Sequence, residues 1–159
     1  MRVDDVIDKL VEKFQGDQAL AEVFTYHKVN GMLPDIGASI SIGCDKVKYN
    51  DYSSTKDEAV ADLNIFLYTQ EADPELGERN VRNLAENTRY ILTEDQSLGG
   101  LLSSGTIEEI EYIYADADAA MVLHAAVIHY KAVFYQERRR SKEPAAPVGE
   151  MNTSLERSE

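Results

Sequence analysis

Along the first stretch of the chain, apolar side chains fall at Val3, Val6, Ile7, Leu10, Val11 and Phe14. That spacing predicts an amphipathic helix whose inner face recurs every three or four residues. Asp4 and Asp5 suit the positive end of such a helix, and Gly16 is a natural stop. Asp17 to Glu22 has the makings of a short further turn. Val23 to Val29 then reads as a strand. Asn30-Gly31 is a turn dipeptide and Pro34-Asp35 follows closely. From Ile36 to Ile42 the pattern alternates, with Ile36, Ala38, Ile40 and Ile42 opposite Gly37, Ser39, Ser41 and Gly43. That predicts a strand with one buried face, joined to the preceding strand as a hairpin.

Asp45 to Glu58 is polar and reads as a loop, with room for a short edge strand at Val47 to Tyr49. A loop of that length in a compact domain is a place for motion or function. Alternation resumes over Ala59 to Thr69. Asp73-Pro74-Glu75 marks a helix start, with proline at the first helical position. Val81, Leu84, Thr88, Ile91 and Leu92 continue its inner face to about Leu92 or Asp95. Leu98 to Leu102, with Gly99-Gly100 at its centre, predicts a tight turn, and Thr106 to Tyr114 alternates again. Asp116-Ala-Asp118 would turn the chain into its last long element.

That element is the apolar run Met121 to Tyr135, in which Lys131 is the one residue with a formal charge. Its Val, Ile, Tyr and Phe content suits a pleated surface. As a strand it would show apolar residues on both faces, and so would be central or covered on both sides. Periodicity alone leaves a helix open here.

Composition shifts after Glu137, and Ser141 to Glu159 lacks any period; it reads as a disordered tail. Residues 1–140 then form one domain. Its expected class is α+β: a mostly antiparallel sheet with both helices packed on one face.

Charge narrows the function classes. The chain has 159 residues, 29 acidic against 16 basic, and a net charge of −13. Sequence-specific or general nucleic-acid binding needs a basic footprint, and docking on anionic membranes needs one too. The single cysteine, Cys44, excludes an internal disulfide and fits a reducing compartment. The opening Met-Arg-Val-Asp-Asp lacks the apolar core of a signal peptide, which points to a cytoplasmic site of synthesis.

Candidate chemistry is sparse. His27, His124 and His129 are the three histidines. On a strand, His124 and His129 face opposite ways; on a helix they are about 140° apart at 100° per residue. Neither arrangement makes a two-histidine metal clamp. Cys44 has no nucleophile pattern around it. Asp116 and Asp118 lack the other acids and the glycine of a calcium loop. No phosphate loop, nucleophile elbow or zincin motif is present. Arg138-Arg-Arg140 with Lys142 reads as the solvated end of a sticky strand. The expectation is therefore no enzyme, with no catalytic, cofactor-binding or metal-binding residue to nominate.

The arrangement of elements nonetheless has a counterpart. An amphipathic helix opens the chain, and a strand pair follows with Leu33-Pro-Asp35 before its second member. A long strand ends in Ile65-Phe-Leu-Tyr68. A helix closes on Ile91 to Gly100 through a Leu-Gly-Gly turn, and two strands finish at Val133 to Glu137. Over roughly residues 3–137 this resembles the tail-terminator and head–tail joining proteins of long-tailed bacteriophages and prophages. The resemblance implies a structural role in virion assembly: a ring, hexameric in type, that caps the tail tube and meets the head-connector proteins. It implies assembly in the host cytoplasm and a final place in the virion tail, with no cofactor. Val47, Tyr49 and Tyr52 are the candidate subunit-interface residues, on the polar stretch that could reach a neighbour. An acidic cytoplasmic binding or regulatory module, such as an inhibitor that mimics DNA, is the alternative.

Overall fold

The computed structural model describes residues 1–31, 37–115 and 122–139. Helix α1 spans Val3–Gln15 and helix α2 Pro74–Glu94. The strands are β1 (Val23–His27), β2 (Ala38–Asp51), β3 (Lys56–Glu71), β4 (Ser104–Ala115) and β5 (Val122–Glu137). A single 3-10 turn, Gln18–Leu20, lies between α1 and β1.

The helices start and stop for local reasons. The Arg2 backbone N–H donates to the Asp5 carboxylate at 2.9 Å, fixing the first turn of α1. Asp73 caps α2 by accepting from the Glu75 backbone N–H at 3.1 Å, with Pro74 at the first helical position. Lys13 in the last turn of α1 reaches Asp95, just past the end of α2, at 2.9 Å. That one contact ties the C-terminal ends of the two helices together.

The five strands form one sheet in the order β1-β2-β3-β5-β4. β2–β3, β3–β5 and β4–β5 are antiparallel. β3, α2 and β4 thus make a crossover between two strands of the same direction, with β5 inserted between them. Ile42, Ile65, Ile128 and Ile110 stand side by side across four strands. Both helices cover this row. Val6, Leu10 and Phe14 of α1 and Val81, Leu84, Ala85, Ile91 and Leu92 of α2 join it in one core. The sheet is therefore α+β and mostly antiparallel, with its helices on one face, as the pattern of the sequence predicts.

Met121 to Tyr135 resolves as strand from Val122 on, and it is central. Ala126, Ile128, Tyr130, Ala132 and Phe134 are buried beneath the helices, and Ala125 and Val127 are buried on the opposite face. A helix would have no such pair of walls to fill. Gly105 on β4 faces Tyr130, and a Cβ there would lie 2.0 Å from its hydroxyl, so only glycine leaves room for that ring.

Two expectations are corrected. β1 and β2 are not an antiparallel hairpin. They run parallel, with Tyr26 beside Ile40 and His27 beside Ser41. After β1 the chain reaches the face away from the helices at Asn30. Asn30 settles there on Gly43, where a Cβ would lie 2.3 Å from the Asn30 Cα. The second correction concerns Asp45 to Glu58, which is not a loop. β2 runs to Asp51 and β3 begins at Lys56, so a short turn joins two long paired strands. The stretch looked irregular because it projects past the helices, and both of its faces are largely wet. Pro34-Asp35, the Asp116–Asp118 turn, Met121 and the tail from Ser141 lie outside the described residues.

Candidate functional site

The face of the sheet away from the helices carries a polar relay. It begins at Asp45, the extra residue at an irregularity in β2 between Cys44 and Lys46. The Asp45 carboxylate accepts from the Asn30 side-chain amide at 2.9 Å. The Asn30 side-chain oxygen accepts from the Asn64 amide at 3.3 Å. The Asn64 oxygen lies 3.0 Å from His129 Nδ1. On its other side His129 Nε2 lies 2.6 Å from the Glu111 carboxylate and 3.9 Å from that of Glu109. Five side chains, from four strands and the segment after β1, are thus joined in one line.

Each position follows from register. Asn64 pairs with Gly43 on one side and His129 on the other, and His129 pairs with Glu109. Glu108 is the extra residue at an irregularity in β4, which puts Glu109 and Glu111 on the His129 side. Asn64 is buried, while the Glu109 and Glu111 side chains are 63% and 56% exposed. An open groove of about 430 Å³ runs along this face, lined by Asp45, Lys46, Asp62, Asn64, Glu108 and His129 among others.

The direction of the relay is fixed from its Asp45 end. The Asn30 amide, and after it the Asn64 amide, hold the Asp45 carboxyl below the usual carboxylate range. An ionised carboxylate only accepts, so Asn30 must donate to it and present its oxygen to Asn64. Asn64 then presents its own oxygen to His129, whose Nδ1 must carry a proton. Nε2 is the atom left facing the two glutamates. Beside this line, Glu108 pairs with Lys131 at 3.0 Å and keeps its ammonium charged to higher pH.

Other residues singled out in the sequence fall elsewhere. His124 and His129 lie on opposite faces of β5, as a strand requires. His124 is buried against α2, where a Cβ on Gly77 would lie 2.2 Å from its ring. Cys44 is half-buried, and burial, ahead of the Asp45 and Asp62 charges, pushes its thiol up, away from nucleophile character. Arg138 reaches Asp57 at 2.8 Å and Asp51 at 2.9 Å, clamping the β2–β3 turn. Val47, Tyr49 and Tyr52 fall at the far end of β2 and in the turn that follows it. Val47 packs against the core, Tyr49 is 54% exposed near the end of β2, and Tyr52 in the turn stacks on Tyr135 with ring centres 4.3 Å apart. No helix among the described residues is long and apolar enough to cross a membrane.

Reading the sequence by spacing along the chain paired His129 with His124 and missed its true neighbours. Glu109, Glu111 and Asn64 reach it only across strands. The alternation Glu109-x-Glu111 on an edge strand was visible; its histidine partner was not.

No family model matches the chain, and no curated protein matches it either. Among solved structures, a chain of the virion of the native gene transfer agent particle is similar to it. The likeness covers 82% of this chain and 95% of that one, at 14% identity and a TM-score of 0.44. So low a score leaves function to the molecule's own surfaces.

Proposed function

We propose that this protein is a non-enzymatic tail-completion component of a phage or prophage, whose copies join side by side into a ring that caps the tail tube. The observation that carries the reading is a sheet that, among the described residues, has two open edges, one of them acidic. Among the described residues β4 is the last strand on one side, and it presents Glu108, Glu109 and Glu111 with the exposed Tyr112. On the other side β1 accompanies β2 only as far as Ser41. Beyond that point β2 presents Lys46 and Lys48 between Asp45 and Asp51, together with the exposed Tyr49, with no strand outside it among the described residues. An acidic edge on one side of the sheet and two exposed lysines on the other favour head-to-tail pairing, the heterologous contact from which rings close. The resemblance in element order to tail-terminator and head–tail joining proteins supports the same role. Partners are then a second copy, the tail-tube protein and the head-connector proteins.

The test is solution mass across protein concentration, with and without Mg²⁺, followed by negative-stain imaging. Closed rings of about six subunits are expected, as for a cyclic heterologous assembly. A chain that remains monomeric even when offered assembled tail tubes would end the proposal. It would favour an acidic binding module instead.

A further inference from the structure

We propose that His129, Glu111 and Glu109 form a site for a divalent transition ion of the Zn²⁺ class. This stands on the geometry of the relay and is independent of the tail-completion reading. The three side chains each offer a donor atom, and these atoms lie within 4.8 Å of one another. An ion of this class sits about 2.0–2.2 Å from nitrogen and oxygen donors, which puts adjacent donors roughly 3–3.5 Å apart. The two separations from His129 Nε2, 2.6 Å and 3.9 Å, bracket that distance. Both glutamates are exposed enough to close the difference by rotating about their own bonds.

The relay behind the histidine supplies the independent reason. Asp45, Asn30 and the buried Asn64 are not ligands, yet together they orient His129 Nδ1 toward a donor role. With the proton on Nδ1, a neutral ring has its lone pair on Nε2, the atom that faces two carboxylates. Two acceptors at 2.6 Å need a cation between them: a proton or a metal ion. A histidine whose far nitrogen is held by a polar partner is the arrangement that orients metal-binding imidazoles and raises their basicity. The surrounding cations are committed elsewhere. Lys131 is on Glu108 and Lys46 is nearest Asp62. Among the described residues no Lys or Arg pairs with Glu109 or Glu111.

The donor set also selects the ion. One imidazole and two carboxylates suit Zn²⁺ and its neighbours. Ca²⁺ prefers six to eight oxygens and Mg²⁺ a largely hydrated oxygen octahedron. With three protein donors on an exposed edge, the remaining position faces solvent.

The experiment uses the full chain stripped with chelator. Zn²⁺ is titrated calorimetrically, and Co²⁺ is added as a spectroscopic probe. Visible Co²⁺ bands that Zn²⁺ abolishes and millimolar Mg²⁺ or Ca²⁺ leaves in place are expected. His129→Gln and Glu111→Gln should abolish them. Asn64→Ala, which removes no ligand, should weaken Zn²⁺ binding about 10–100-fold, the usual effect of losing an outer-shell partner. Circular dichroism and melting in chelator check that each variant folds; Glu109→Gln, the most exposed change, serves if His129→Gln does not. Binding unchanged in both His129→Gln and Glu111→Gln would place the ion elsewhere and overturn the proposal. So would ¹⁵N shifts of a doubly protonated His129 that Zn²⁺ fails to displace, the mark of a simple imidazolium–glutamate pair.

Discussion

Leu63 and Asn64 are neighbours on β3, and they belong to different worlds. Leu63 looks toward α1 and α2, where Ile42, Ile65, Ile128 and Phe134 are all fully buried in one apolar core. Asn64 looks the other way, into a line of amides, an imidazole and carboxylates. The helix-covered face holds the fold together by excluding water over a large apolar area. Around Asn64 the opposite face is held by a few directional contacts, each worth little alone. Charge and reactivity accumulate on it because the fold does not depend on them, and both open edges of the sheet border it.

This contrast can be broken or sharpened by substitution. The largest effect should come from Ile65→Ala, which leaves a cavity in a fully buried row; a loss of about 2–5 kcal/mol in urea unfolding is expected. Next is Gly43→Ala on the polar face. Its Cβ must push the Asn30 backbone aside, at a cost of about 1–3 kcal/mol, as for overpacking elsewhere. Amide resonances of Asn30 and Asn64 should shift with it, while those of α2 stay in place. A Gly43→Ala variant as stable as the parent would mean that the return path after β1 is not seated on this face.

A smaller effect is expected from pH on the covered side. Burial raises the hydroxyls of Tyr26 and Tyr130 from 10.0 to about 12. Below pH 10 both folded and unfolded chains keep these protons. Above it the unfolded chain loses them first, so stability falls until the folded groups also ionise near pH 12. Tyr130→Phe should flatten that fall and cost little at neutral pH, since the Tyr130 hydroxyl has no hydrogen-bond partner among the described residues. The smallest change should be Lys131→Met. Its partner Glu108 is exposed, and such pairs are worth about 0–1 kcal/mol, less in salt.

How much of this could be read in advance differs between the same two faces. The helix-side core was legible because it repeats. Val6, Leu10 and Phe14 announce α1, Asp73-Pro74 announces α2, and Ile40 with Ile42 announces the buried side of β2. The direction of β1 was not, because neither Val23–His27 nor Ala38–Ile42 encodes which way its neighbour runs. The relay was hidden for a related reason. It depends on irregularities at Asp45 and Glu108, each of which shifts the register by one residue. Periodicity averages such single-residue shifts away. Lys46 to Asp51 read as a loop because no helix covers them, and a strand wet on both sides has no alternation to show.

Hydrogen exchange on the assembled protein tests the central claim most directly, that copies join through the two open edges. In rings compared with monomer, the outward-facing amides of β4 from Thr106 to Ile113 and of β2 from Lys46 to Asp51 should become protected together. Those of β3 around Ile65 should not change. Rings in which both edges exchange as fast as in the monomer would contradict the account, because the subunits would then be meeting through some other surface.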